Sequence, residues 1–475
     1  MIFNSLAFAS FFILFFFLYW FVFNRSVKIQ NLFLLAACYI FYAWHNWHLL
    51  ILLLLSTVVT YLLGFAIHNA PTHKIKNQWL YTGLVIFVGL LLYFKYTNFF
   101  LQSFASLTQK PFTPLDIILP LGISFYTFRL LSYLFDIKNG KFKPVDDWVV
   151  FFSYVSFFPS VISGPIDRPK TLVPQLEQPR KFNHDQAVDG LRQILWGLLK
   201  KTVVADNCAV LSNYAFDTPN LHGPVLIAGA FFYTIQIYAD FSGYSDMAIG
   251  VAKLMGFNIT RNFNYPYFSQ NVAEFWRKWH ISLTSWLTDY IFTPASLQFR
   301  DYANWGLIIA IILTFLTSGL WHGANWTFVL WGFLHGCYYI PLILKGKMNK
   351  KKEIPADRVW PTFTELRNIA ATFILVMFTF VLFRSADISS AFAYYRNIFV
   401  FTPSAASKPI SFYGISIVFS AAMFMMEWLS RGKQHPLEGL NLKWPQVARW
   451  SFYILAVALI MTFTRHEQQF IYFKF

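Results

Sequence analysis

The chain has 475 residues, enough for roughly two to four soluble domains. Yet it is 56% hydrophobic and 21% aromatic with only 13% charged residues, where an ordinary soluble protein carries about 25%. So few charges cannot cover a soluble surface, which excludes a cytosolic globular enzyme and a disordered scaffold, and three dispersed cysteines, Cys38, Cys208 and Cys337, exclude a disulfide-rich secreted module.

The 38 Lys and Arg against 22 Asp and Glu leave a net charge of +16. The cations recur in short loops between apolar stretches, so the excess is read as inner-leaflet anchoring rather than as a nucleic-acid face.

Residues 6–23 form an uncharged run of Phe, Leu and Ile that, with its flanks, can cross a hydrocarbon core of about 30 Å. No basic region precedes it and no small-residue cleavage site follows, so it is expected to stay as a helix. Arg25 and Lys28 come next, then an apolar stretch at 31–44 short enough to be partly embedded. His45, Asn46, Trp47 and His48 make a polar, aromatic turn, and 49–67 is a clear span. Lys74 and Lys76 follow that span while the turn before it has no Lys or Arg, so the N-terminus is expected outside. Further spans are expected at 79–94, 115–135, 148–162, 188–211, 223–257, 305–344, 368–383, 410–429 and 450–463, several of them too long or too polar to be simple.

The expectation is an all-α, polytopic integral membrane protein of roughly 10–12 transmembrane helices with re-entrant or interfacial helices. It reads as a single domain over 1–475, with N-terminal helices at 1–114, a core at 115–344 and C-terminal helices at 359–475. Between the last two lies a basic loop at 345–358, where Lys345, Lys347, Lys350, Lys351, Lys352 and Arg358 face only Glu353 and Asp357. This loop is expected to be cytoplasmic, as a membrane anchor or as a dock for phosphates or an acidic carrier.

An ionisable side chain inside an apolar span costs about 2.5–3.5 kcal/mol on insertion scales unless it meets a cavity or partner. Such groups gather between 223 and 336: Asp240, Asp246, Lys253, Glu274, Arg277, Lys278, His280, Asp289, His322 and His335. That region must surround a hydrated or protein-lined cavity. Histidine is the side chain best suited to accept a proton near neutral pH. His322 ends an apolar run in Leu320-Trp321-His322-Gly323, and on a continuing helix it would share a face with Asn325, Trp326 and Val329. His335, thirteen residues on, would point about 220° away on an unbroken helix and so is expected in a different place. His280, with Trp276 one turn before it, is read either as a site residue or as part of an interfacial helix carrying Trp and Lys at headgroup level.

Other chemistries are excluded by pattern. No G-x-G, Walker A, C-x-x-C, H-E-x-x-H or G-x-S-x-G sequence occurs, so no nucleotide cofactor, metal or serine-elbow site is expected. His45 and His48 have metal-like spacing but sit in a Trp-rich turn without carboxylates and are read as interfacial.

At these residues the sequence resembles the membrane-bound O-acyltransferases, in the branch that holds bacterial alginate O-acetyltransferases and D-alanyl-lipoteichoic-acid acyltransferases. The resemblance is carried by Pro120-Leu121-Gly122-Ile123-Ser124-Phe125, Phe158-Pro159 with Gly164-Pro165-Ile166, Gly197-Leu198 with Lys200-Lys201, Asp240-Phe241-Ser242-Gly243-Tyr244-Ser245-Asp246, Glu274-Phe275-Trp276-Arg277-Lys278-Trp279-His280 and Ser318-Gly319-Leu320-Trp321-His322-Gly323, and weakly by Phe383-Arg384 with Ala391.

The resemblance implies helices around a central funnel or tunnel, with His322 catalytic at its narrow part and His280 as the second active-site histidine. Asp240, Tyr244, Trp276, Arg277, Trp321, Asn325 and Trp326 are the substrate or tunnel candidates, with Asn325 or the indoles of Trp321 and Trp326 as donors to an oxyanion. It further implies a multi-pass protein of the bacterial cytoplasmic (inner) membrane with acetyl-CoA as donor and no permanently bound cofactor. The acceptor would be a cell-surface or exported polysaccharide, reached directly or through an extracytoplasmic SGNH-type acyltransferase.

Transfer of D-alanyl or another acyl group from a carrier-protein thioester is the second reading, and a glycan or lipid transporter without chemistry the third. One departure bears on acceptor choice: after Asp289-Tyr290 this chain reads Ile291-Phe292-Thr293-Pro294-Ala295-Ser296, where alginate-type members often have a Pro-Leu-Gly-Gly loop.

Overall fold

The computed structural model describes residues 1–44, 46–350, 353–401, 410–440, 444–464 and 470–471. The Lys351 and Lys352 part of the basic loop lies outside the described residues, as does His45.

Among the described residues every regular element is helical. Seven helices are long and apolar enough to cross a membrane: His48–His68, His73–Thr108, Pro224–Leu254, Arg300–His322, Trp326–Leu344, Phe363–Arg384 and Gln446–Phe463. Three shorter apolar helices, Leu6–Val22, Val27–Ala43 and Gly414–Leu429, accompany them. The protein is thus an all-helical, multi-pass membrane protein. Backbone amides in hydrocarbon have no water to bond, and a helix is the way one segment satisfies its own.

Several elements differ from their sequence expectation, each for a local reason. The 115–135 stretch becomes helical only at Ile123–Lys138, behind Gly122 in a left-handed conformation (φ 72°). The 148–162 stretch is a nine-residue helix, Trp148–Ser156, that gives way to irregular chain around Pro159 and Pro165. The 305–344 stretch is two helices, Ala303–His322 and Trp326–Leu344, divided at Gly323 and re-started by Asn325, whose side chain caps Thr327 N–H at 3.0 Å. The 291–296 segment is a π-helical turn, Thr288–Phe292, running into the helix Thr293–Gln298.

The chain divides into two compact units, one of residues 1–191 with 248–260 and one of 192–247 with 261–475. In the first, Phe8, Phe15, Phe41 and Phe158 pack ring on ring with centroids 5.4–6.5 Å apart. Arg129, only 2% exposed, donates through Nη1 to the Tyr154 and Val155 carbonyls (2.9 and 3.0 Å) and through Nη2 to Ser160 Oγ (2.6 Å). Those bonds hold the irregular chain after residue 156 against Ile123–Lys138.

In the second unit the region expected as a single span at 188–211 contains a π-helical stretch, Leu199–Ala205, between His184–Leu198 and Asp206–Asp217. It carries two buried lysines in succession. Lys200 Nζ meets Asp246 Oδ2 at 2.5 Å, Ser242 Oγ at 2.9 Å and Glu427 Oε1 at 4.0 Å. Lys201 Nζ meets Asp206 Oδ1 at 2.8 Å and Asp240 Oδ1 at 3.1 Å. Tyr238 completes the set by donating its hydroxyl to Glu427 at 2.8 Å. Charges this deep are tolerated because each has an opposite charge and a hydrogen bond. Here Gly197 and Gly243 let the two backbones approach, since a Cβ on either would lie within 2.8 Å of the other's carbonyl oxygen.

Candidate active site

The second unit also gathers the histidines, along the pair Ala303–His322 and Trp326–Leu344. The two helices touch at Gly319 and Gly332: a Cβ on Gly319 would stand 2.3 Å from the Phe328 carbonyl oxygen, and one on Gly332 would stand 2.2 Å from that of Phe315. Because the first helix stops at His322, the side chains sharing its face are those one and two turns earlier, Ser318 and Phe315, rather than Asn325, Trp326 and Val329.

The break also corrects the expected divergence of His322 from His335, since an angle of about 220° holds only on one continuous helix. Across the antiparallel pair, Trp331 lies between the two histidines, with ring centroids 5.1 Å from His322 and 4.7 Å from His335.

His322 is 3% exposed. Its ring meets Trp331 and Phe383 edge to face, both at 5.1 Å, and Trp321 at 4.9 Å.

His280 reaches the cluster through Trp321, with centroids 5.7 Å apart, and packs against Phe241 at 4.7 Å. It stands between two short helices, Val272–Lys278 and Ile281–Leu287, in a left-handed conformation (φ 43°) at 0% exposure. A non-glycine residue held this way stores about 1–3 kcal/mol of strain, a cost that gathers at functional sites. The imidazole Nδ1 accepts from Leu283 N–H at 3.4 Å, and burial lowers the pKa, so His280 is neutral with its proton on Nε2. That leaves Nε2–H as its donor, and the segment 274–280 turns Phe275, Trp276 and His280 inward while Arg277 stays exposed.

His335 is fully committed. Its Nδ1 accepts from Trp276 Nε1 at 3.2 Å and its Nε2 lies 3.0 Å from Thr379 Oγ1, whose own proton goes to the Val376 carbonyl at 2.8 Å. The hydroxyl must therefore accept from Nε2–H, which fixes His335 as a neutral strut between helices.

A cavity of about 230 Å³ adjoins this cluster. At one end are Arg277, Met348 and Asn349, and deeper in come Trp276, Phe315 and Ser318. Arg277 ties the start of the basic loop to that mouth by donating to the Met348 and Lys350 carbonyls at 3.2 and 3.5 Å. A second, polar pocket of about 250 Å³ lies between Tyr265, Lys278, Glu353 and Arg431.

The other expected site residues divide. Trp276, Arg277 and Trp321 belong to the cluster or its cavity. Asp240 is engaged with Lys201 and accepts from Ile471 N–H at 2.7 Å, and Tyr244 stacks on Phe470 at 4.7 Å. Neither lines the cavity beside His322. Asn325 is spent on helix capping and on the Ala386 carbonyl, which its amide reaches at 2.6 Å, and Trp326 is half exposed. Sequence reasoning missed Ser318, Trp331 and Phe383. Ser318, four residues before His322, is within reach of helical spacing, whereas Trp331 and Phe383 reach the histidine from other helices.

A buried histidine one helical turn from a cavity, with a neutral histidine near it across Trp321, suits proton transfer from a hydroxyl in a water-poor setting. Comparison with known proteins agrees with that chemistry. The family model of MBOAT, the membrane-bound O-acyltransferase family, matches residues 36–383, and the chain belongs to that family.

Among curated relatives, “Probable alginate O-acetylase AlgI” of Azotobacter vinelandii is 38% identical over 84% of this chain and 78% of its own length. The “Peptidoglycan O-acetyltransferase” of Helicobacter pylori is 35% identical over 71% of this chain and 69% of its own length. The “Teichoic acid D-alanyltransferase” of Bacillus subtilis is 28% identical over 71% and 86%. The protein is a membrane O-acyltransferase.

Proposed function

We propose that the protein takes an acetyl group from acetyl-CoA and passes it, at His322, toward a hydroxyl of a cell-surface or exported polysaccharide, from a bacterial cytoplasmic membrane. The observation that carries this reading is the buried His322 one helical turn from a cavity whose other end is held by Arg277 and the start of the basic loop. Relatives named as O-acetylases, at 35–38% identity, support acetyl as the acyl group.

His322 removes the acceptor hydroxyl proton as the oxygen forms its bond to the thioester carbonyl carbon. The C–S bond breaks, and the imidazolium returns the proton to the departing thiolate, so the histidine ends as it began. His280 holds the neighbouring Trp321 face, and the aromatic walls keep out water that would hydrolyse the thioester. Lys278 and Arg431, with the lysines of 345–350, suit the phosphates of CoA. An SGNH-type acyltransferase on the outer side would complete delivery to the polymer.

The test is the ester itself. Mild alkaline release from the envelope polymers of producing cells, followed by mass analysis, is expected to yield acetate that disappears when the gene is deleted. Release of D-alanine instead would replace acetyl-CoA by an aminoacyl carrier as the donor. An unchanged ester content after deletion, with glycan or lipid export impaired, would favour a transporter.

A further inference from the structure

We infer that Ser318 and Trp331 are the two donors that receive the carbonyl oxygen of the acyl thioester as it becomes an oxyanion beside His322. The assignment rests on His322 acting as the base.

Buried donors usually find acceptors, and several on these helices do. On the Ala303–His322 helix, Thr314 Oγ1 returns to the Ala310 carbonyl at 2.7 Å and Thr317 Oγ1 to that of Leu313 at 2.9 Å. Ser318, the next residue, is 1% exposed, and its hydroxyl has no hydrogen-bond partner among the described residues. It faces the cavity of about 230 Å³ instead.

The indoles show the same contrast. Trp20 Nε1 donates to the Leu254 carbonyl at 2.9 Å and Trp276 Nε1 to His335 at 3.2 Å. Trp331, also 1% exposed, has no acceptor for its N–H among the described residues, although its ring touches both His322 and His335. Two unspent donors next to one histidine, one of them on the cavity wall, indicate an acceptor brought by the substrate.

Their placement fits the reaction. Ser318 precedes His322 by four residues, so the two side chains lie on one face with Cβ atoms about 5–6 Å apart. Trp331 approaches the same imidazole from the facing helix. A thioester carbonyl seated between them offers its oxygen to Ser318 Oγ–H and Trp331 Nε1–H, while its carbon faces the hydroxyl that His322 deprotonates. Neither donor gives up its proton. Each bond strengthens as the negative charge develops and relaxes when the C–S bond breaks.

The test uses membranes of producing cells and radiolabelled acetyl-CoA, reading label transferred to alkali-labile polymer. Ser318→Ala and Trp331→Phe are each expected to lower kcat by on the order of 10²-fold, with the KM for acetyl-CoA nearly unchanged, because the lost bonds matter most in the transition state. Ser318→Thr keeps a hydroxyl and is expected to recover most of the rate. Trp331→Phe keeps an aromatic ring but removes the pyrrole ring with its N–H, so its unfolding temperature is read beside its kcat, and a kcat loss no larger than that of a variant destabilised to the same degree elsewhere would mark a packing role.

Wild-type kcat in both variants would overturn the donor assignment. So would an equal loss in Ser318→Ala and Ser318→Thr accompanied by a lowered unfolding temperature, which marks a packing role. His322→Ala is run in parallel: if it transfers acetyl normally, the reading of the base fails instead. If wild-type membranes use no acetyl-CoA, the same order of variants is expected in the alkali-labile ester of whole cells, and its absence there overturns the assignment.

Discussion

Replacing His322 by Ala is expected to reduce O-acyl ester on the envelope polymer by roughly 10²–10⁴-fold, the usual worth of a positioned general base, while the protein still inserts and folds. The imidazole is buried against Trp331, Phe383 and Trp321, so the substitution also opens a void in an aromatic cluster. His322→Gln separates the two effects, because it fills most of the volume and keeps polar atoms but cannot accept and return a proton at neutral pH. Both variants are expected to be inactive, with Gln closer to wild type in thermal stability. A Gln variant retaining wild-type ester content would remove proton transfer from this residue.

The second large effect concerns stability. Lys200 is 3% exposed and balances Asp246 and Glu427. Lys200→Met would leave Glu427 buried and Asp246 half-buried without their cation, and breaking a buried pair from one side costs about 3–5 kcal/mol. The folded yield and the unfolding temperature should fall together. Adding Asp246→Asn and Glu427→Gln removes the stranded charges and is expected to recover much of the loss. A single Lys200→Met variant as stable as wild type would contradict the account of the paired network.

Much of this fold is legible in the sequence, because apolar runs have to become helices in hydrocarbon. The run at 49–67 appears as His48–His68, and that at 368–383 as part of Phe363–Arg384. What the sequence conceals are interruptions that do not alter hydropathy. Gly323 and Ala324 look like more apolar chain, yet the first helix ends at His322 and the next begins at Trp326. That break decides which residues face His322. Likewise the π-helical stretch at Leu199–Ala205 leaves the composition untouched while burying Lys200 and Lys201 together.

The site was legible by kind more than by geometry. His322 and His280 stand out because polar groups are rare in such a chain, and the structure joins them through Trp321. The role of Asn325 did not follow from its type: an Asn just before a helix is spent on the backbone, and only the cap geometry reveals it. Trp331 could not be told from the 16 other tryptophans by sequence, since its place between His322 and His335, with no acceptor for its N–H among the described residues, exists only in three dimensions.

The most direct test of the central claim is transfer from a defined donor. Membranes carrying the wild-type protein or His322→Gln, mixed with radiolabelled acetyl-CoA, are assayed for free CoA thiol and for label in alkali-labile polymer. The account predicts that wild-type membranes release thiol and label the polymer together, and that His322→Gln does neither. Label transferred equally by both, or a wild-type protein that ignores acetyl-CoA while consuming an aminoacyl carrier thioester, would contradict it.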